Sequence, residues 1–273
     1  MYHRIVCLTE EPTEILYRIG EDRRIVGISG FTVRPPRARK EKPKVSAFLT
    51  AKIDRILELE PDLALGFSDI QADIAAQLIR HGVEVHIFNH RSVAGILRTV
   101  KAVAALVGSA PKGERLAAEL EAGLDRIRER AAELPHRPRV YFEEWYDPLI
   151  SGIRWVSELI EIAGGEDCFP EYRDASLAKD RIIADPDEVV HRAPDLIIGS
   201  WCGRKFRPER VAAREGWSAI PAVAHGQVHE VKSSLILQPG PAALTDGVGA
   251  LQRIITDWAC ASPATRTTAL PAG

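Results

Sequence analysis

The sequence repeats itself. Glu60-Pro61-Asp62-Leu63-Ala64-Leu65-Gly66 returns 133 residues later as Ala193-Pro194-Asp195-Leu196-Ile197-Ile198-Gly199, and a helical segment precedes each copy, over 53–59 and 186–191. Each copy spells a helix stopped before proline, a turn opened by Pro-Asp, and a buried strand that ends at glycine. A second pair keeps the register. Arg4-Ile5-Val6-Cys7-Leu8 leads to Pro12 and a helix over 13–19, and Arg139-Val140-Tyr141-Phe142 leads to Pro148 and a helix over 156–163; the offsets are 135 and 136. The two helices run out at Gly20 and at Gly164-Gly165, as helix stops do. Four elements repeating in order predict two homologous lobes of the α/β class, each alternating strand and helix to build a mainly parallel sheet.

Between the repeats, residues 111–134 are rich in Ala, Glu, Leu and Arg, with apolar positions at Leu116, Leu120, Leu124, Ile127 and Ala131. That spacing is one helical stripe. Pro111 suits the first turn and Pro135 ends the helix. About 24 residues at 1.5 Å each reach roughly 36 Å, enough to cross from lobe to lobe. The expected organisation is an N-terminal lobe over 1–95, a helical segment over 96–135, a C-terminal lobe over 136–259, and a flexible Ser-, Thr-, Ala- and Pro-rich tail over 260–273.

A 273-residue chain has room for two lobes. A net charge of -2 and a pI near 6.5 give it no drive towards nucleic acid. The basic run over 34–44 is broken by Pro35, Pro36 and Pro43 and reads as a solvated loop. No eighteen-residue apolar stretch predicts a membrane span. The first apolar run, Ile5 to Leu8, is already a strand and not a leader, which points to a cytoplasmic protein or to a mature periplasmic one. Cys7, Cys168, Cys202 and Cys260 are isolated and predict neither a zinc site nor a disulfide framework, and Cys7 belongs in a buried strand.

In open α/β sheets ligands bind beyond the carboxyl ends of the strands. Those ends carry Glu10 and Glu11, Phe31, Phe48 and Phe67 in the first lobe, and Glu143, Glu144, Trp145, Tyr146, Trp201, Trp217 and the segment 233–238, with Leu235, in the second. The chain has only 17 aromatic Phe, Trp and Tyr residues, and seven of them fall here. Any one alone fits a lobe core equally well. Together they fit the walls of a site for a flat, polyfunctional ligand. Adjacent strand residues point to opposite faces, so Glu143 and Glu144 do not make a catalytic pair. His86 and His90 sit at the end of a strand, where a four-residue spacing brings no ligands together. No nucleophile elbow, Walker A or GxGxxG motif occurs, and no catalytic residue or catalytic cofactor is assigned.

These residues together resemble the helical-backbone class of ABC-importer substrate-binding proteins, which includes vitamin B12, haem and ferric-siderophore binders. The resemblance runs through residues 12–20, Val26-Gly27-Ile28-Ser29, Pro35-Pro36, Val45-Ser46, the first repeat copy, Gly82-Val83-Glu84-Val85, residues 158–165, the second copy and Gly226-Gln227-Val228, covering about residues 3–258. Vitamin B12 binders resemble it most. The resemblance implies two Rossmann-like lobes joined by one rigid helix, a ligand cleft between the lobes, a monomer, and an importer permease as partner. It implies a cobalamin-like corrinoid as the small-molecule ligand, with Phe48 and Trp217 at two tryptophan positions that touch it. The family tyrosine before Pro-Pro is Arg34 here, a polar edge with Glu10, Glu11 and Glu144. Importer docking by one acid per lobe falls to Asp54 and to Asp187 or Glu188. A haem or ferric-siderophore binder, or a cytosolic corrinoid-handling protein or enzyme on the same fold, is the alternative.

Overall fold

The computed structural model describes residues 1–261, so the expected tail lies, from residue 262 on, outside the described residues. Two compact units partition the chain, one comprising Met1–His90, Ala94–Ala122 and Gln238–Pro241, the other Arg91–Val93, Gly123–Leu237 and the rest.

The first unit alternates β1 (Ile5–Cys7), α1 (Glu10–Arg18), β2 (Ile25–Ser29), α2 (Ala38–Glu41), β3 (Lys44–Ser46), α3 (Ile53–Leu57), β4 (Leu63–Phe67), α4 (Ala72–Arg80) and β5 (Val85–Phe88). The five strands form one wholly parallel sheet in the order β3-β2-β1-β4-β5. Val6, Leu8, Val45, Ala64, Ile74 and Leu78 fill its core. The near-continuous apolar strands follow from burial on both faces. α5 (Val93–Leu106) and α6 (Ala110–Ala132) come next. Along α6, Leu116, Leu120 and Leu124 are buried. Gly113 lets it approach Ala104 of α5, where an added Cβ would lie 2.4 Å from the Ala104 side chain. Its start is anchored by Ser109 and Lys112, which both donate to Glu21 (2.6 and 2.7 Å) and, with Arg24, hold that carboxyl down at about 2.

The second unit holds β6 (Arg139–Tyr146), β7 (Leu149–Ser151), α7 (Arg154–Ile162), β8 (Glu166–Asp167), α8 (Asp187–Arg192), β9 (Leu196–Gly199), α9 (Pro208–Ala212), α10 (Pro221–Ala224), β10 (Val228–Glu230), α11 (Ser233–Ile236) and α12 (Val248–Cys260). Its sheet is mixed: β10, β9, β6 and β8 run parallel, while β7 folds back antiparallel on β6. Residues 143–146 are therefore strand and not loop. Their aromatic rings favour extended backbone, and Asp147-Pro148 makes the turn.

The repeat has a physical basis. Asp62 accepts from the backbone N–H of Arg4 (2.9 Å) and returns its own N–H to the Arg4 carbonyl, and Asp195 does the same with Arg139 at 2.8 Å in both directions. The arginine side chains close the loop, Arg4 on the Leu59 and Glu60 carbonyls and Arg139 on the Arg192 carbonyl. Glu60 and Ala193, the residues before proline, both take the left-handed conformation (φ 46 and 43) that ends a helix. The glycine that ends each copy serves close packing: at Gly66 a Cβ would lie 2.5 Å from Gln71, and at Gly199 it would lie 1.8 Å from the Phe206 ring.

The chain also returns to the first unit at Gln238–Pro241, a feature the contiguous lobe boundaries did not carry. Gly240 is what permits it, since a Cβ there would stand 2.6 Å from that of Glu11.

Candidate functional site

In the first unit the carboxyl ends of β1, β2, β3 and β4 carry an ordered polar layer beneath an apolar surface. Ser29 Oγ donates to Glu10 (2.7 Å) and accepts the Phe31 N–H (3.1 Å), fixing the turn that carries Phe31. Gln71 accepts the Phe67 N–H and donates to the Phe48 carbonyl, tying the loop after β3 to the end of β4. Above this layer Phe31 is 56% exposed, Phe48 is half-buried, and Leu49 and Ile70 are 67% and 48% exposed. Leu49 and Ile70 were not singled out in the sequence; a single aliphatic residue after a strand carries no signal of its own.

Glu10 and Glu11 are not on a loop. They form the first turn of α1 and are buried. Burial, followed by the neighbouring Glu10 charge, pushes Glu11 up to about 8, with Thr9 Oγ1 donating to it at 2.7 Å. Burial likewise raises Glu10. Phe67 is core, edge-on to the His90 ring at 5.2 Å. Arg34 is half-buried and pairs with Glu14 at 3.5 Å. Asp54 lies exposed in the first turn of α3.

In the second unit the aromatics converge. Trp145 and Tyr146, half-exposed at the end of β6, lie 5.0 Å apart, Tyr146 contacts Trp201 at 4.7 Å, and Trp201 meets Phe206 at 4.9 Å. Trp201, at 3% exposure, is the backing layer and not the face. Its indole N–H donates to Glu143 (2.9 Å), and Arg214 grips the same buried carboxylate through two bonds of 2.5 and 2.9 Å. Glu144, on the opposite face, is paired with the buried Arg181 (2.7 and 3.0 Å), so it braces the unit rather than offering a free edge.

Trp217 is only 1% exposed, held edge-to-face by Tyr141 and covered by Arg214 at 4.3 Å. A short turn seats it in the core, where its large ring buries the most apolar area. It nevertheless bounds a cavity of about 840 Å³ with Tyr146, Leu149, Ile183 and the acidic side chains of Asp185 and Asp187. Asp187 and Glu188 are exposed at the start of α8, Glu188 pairing with Arg192 at 3.4 Å. The segment 233–238 is a short helix, α11, followed by the return to the first unit, and Leu235 on it is half-buried. Among the described residues no cluster of His, Cys, Asp and Glu could hold a metal ion, and no helix is long and apolar enough to cross a membrane.

Residues 5–235 match a known family model, described as periplasmic binding protein. The chain belongs to the periplasmic binding protein family. Among its relatives in that family it is similar to the vitamin B12-binding protein of Vibrio campbellii, 24% identical over 243 residues that make up 86% of this chain and 83% of the relative. It is also similar to an uncharacterised ABC transporter substrate-binding lipoprotein of Bacillus subtilis, 25% identical over 262 residues, 92% of this chain and 79% of the relative. The solved periplasmic heme-binding protein of Roseiflexus sp. in its apo form has a TM-score of 0.78 at 25% identity, covering 93% of this chain and 100% of that one. The periplasmic vitamin B12-binding protein of Vibrio cholerae shares the fold with a TM-score of 0.73 at 22% identity, over 95% and 99%. The family fold supplies the two strand-end surfaces; this chain's own residues decide what they take.

Proposed function

We propose that this chain is the substrate-binding component of an ABC-type importer and that its ligand is cobalamin or a related corrinoid. The observation that carries the reading is the half-exposed Trp145–Tyr146 pair, backed by Trp201 and Phe206 at the carboxyl ends of β6 and β9. Such a surface offers stacking area to a flat macrocycle at little cost in side-chain freedom. In the first unit Phe31 and Phe48, with Leu49 and Ile70 beside them, offer apolar area of the same kind. The relatives named for vitamin B12 support the ligand class. Contact falls to Phe31, Phe48, Trp145 and Tyr146, with Arg34 and Leu235 at edges; Glu10, Glu11, Phe67, Glu144, Trp201 and Trp217 shape the surfaces from beneath. Exposed Asp54, Asp187 and Glu188 are assigned to the permease. The role is binding, without a chemical step.

Titrating cyanocobalamin and dicyanocobinamide while following tryptophan fluorescence tests the ligand. Saturable quenching at micromolar concentration is expected, weakened at least ~10-fold by Trp145→Ala. No quenching by either corrinoid refutes the assignment. A haem or ferric-siderophore ligand is the second reading, favoured by the cationic rim beside Tyr146 and distinguished by haemin saturating the protein where corrinoids do not.

A further inference from the structure

The loop and helix after β9 are unusually cationic. Residues 201–214 hold Arg204, Lys205, Arg207, Arg210 and Arg214 against the single acid Glu209. Arg214 is committed to buried Glu143. Arg207 faces Glu209 at 3.4 Å. Arg204 and Arg210 are different. Both are exposed, and both converge on one ring: their guanidinium carbons lie 5.6 and 5.0 Å from the centroid of Tyr146, with Arg204 also 5.7 Å from that of Trp145. Among the described residues neither meets a carboxylate at ion-pair distance.

We propose that Arg204, Arg210 and the Tyr146 hydroxyl form an oxyanion-binding site for a carboxylate or phosphate group carried by the ligand. The proposal rests, for the identity of its ligand, on the binding role assigned above. Two like charges held against one ring raise the local potential without a counter-charge to relieve it, which an anion does. Cation–π contacts hold both guanidinium groups beside the ring, and planar forks held in place suit carboxylate and phosphate geometry. Tyr146 completes the set. Arg204 donates to its hydroxyl oxygen at 2.6 Å, so the hydroxyl hydrogen points elsewhere and remains a donor. The three donors therefore read an acidic substituent at the margin of the aromatic surface, while Trp145 reads the ring system next to it. A corrinoid presents such a group in its nucleotide-loop phosphodiester, a haem in its propionates.

The test uses the full chain with citrate and pyrophosphate as probes, reading tryptophan fluorescence at matched ionic strength so that general screening is constant. The wild-type chain shows a saturable change that sodium chloride does not reproduce. Arg204→Gln/Arg210→Gln weakens it at least ~10-fold, Tyr146→Phe weakens it less because the cation–π contacts survive, and Arg207→Gln leaves it unchanged. Circular dichroism confirms that the exposed substitutions leave the fold intact. Absence of a saturable response in the wild type, or equal responses in wild type and double variant, overturns the site. The source of the anion follows from competition: citrate displaces cyanocobalamin or haemin but not dicyanocobinamide, which carries neither phosphate nor carboxylate, and equal displacement of all three overturns the proposal. If only the corrinoid reading is wrong, cyanocobalamin fails to quench while citrate and pyrophosphate still do.

Discussion

Substituting Glu143 by glutamine tests how the aromatic surface is held. The Glu143 side chain is fully buried and accepts four contacts: two from Arg214, one from the Trp201 indole and a longer one from the Tyr141 hydroxyl at 3.3 Å. Removing one partner of a buried ion pair costs about 3–5 kcal/mol. Two features lower that here. The Arg214 side chain is 20% exposed and keeps its face on Trp217, so it retains some water and a cation–π contact. Glutamine still offers one oxygen to the Trp201 N–H, which otherwise costs about 1–3 kcal/mol when buried unpaired. The expected loss is about 2–3 kcal/mol for Glu143→Gln and about 3–4 for Arg214→Met, where a fully buried carboxylate loses its counter-charge. The double variant should cost about as much as the worse single one, leaving a coupling of about 2–3 kcal/mol. Urea unfolding of the four proteins measures this, with near-ultraviolet circular dichroism reporting Trp201. A loss under ~1 kcal/mol for Glu143→Gln, together with coupling near zero, would refute the reasoning.

Three further outcomes follow from particular contacts. Glu11 titrates near 8 in the folded chain and in the ordinary carboxylate range when unfolded, so the unfolded state releases its proton first and stability falls as pH rises from about 4.5 to about 8. Glu11→Gln should flatten that part of the profile and add roughly 2–4 kcal/mol at pH 8, read by thermal or urea melts across pH. Asp195→Ala should cost about 1.5–3 kcal/mol by removing a charged acceptor from the Arg139 N–H, and Asp62→Ala should cost more, since Asp62 accepts the N–H groups of both His3 and Arg4; hydrogen exchange at His3, Arg4 and Arg139 locates the effect. Gly199→Ala should cost about 1–3 kcal/mol by displacing Phe206, and should also shift the near-ultraviolet signal of Trp201, which an effect confined to β9 would leave alone.

The repeat was legible because it is written in residues whose backbone role is narrow. Pro-Asp after a helix, with a glycine closing the strand, leaves few conformations, and both copies adopt the same one down to the left-handed residue before proline. The α6 stripe was legible for the same reason: Leu116, Leu120 and Leu124 share one helical face and are all buried. Placement at a strand end, by contrast, does not say whether a ring faces out or in. Trp145 and Tyr146 face out because they flank a hairpin turn, whereas Trp201 and Trp217 are drawn inward by Glu143 and Tyr141, partners far away in sequence. Glu10 and Glu11 read as polar edges because charged residues are seldom buried; in the fold both are buried, and Glu11 is covered by a segment more than two hundred residues further on. The arginine pair on Tyr146 was visible only as a cationic stretch until the ring that gathers it was in place.

That covering segment decides how the molecule can be taken apart or recombined. Gln238–Pro241 belongs to the first unit while the residues on either side of it belong to the second. No single break in the chain therefore separates the units. A protease that nicks α6 leaves a C-terminal fragment still holding four residues of the other unit, seated against Glu11. An exchange of units between paralogues joined only at α6 would set a foreign Gln-Pro-Gly-Pro against a native α1, so crossovers that preserve the fold must fall at matched pairs. Inheritance of either half of the repeat is in this way tied to a short stretch encoded near the end of the other.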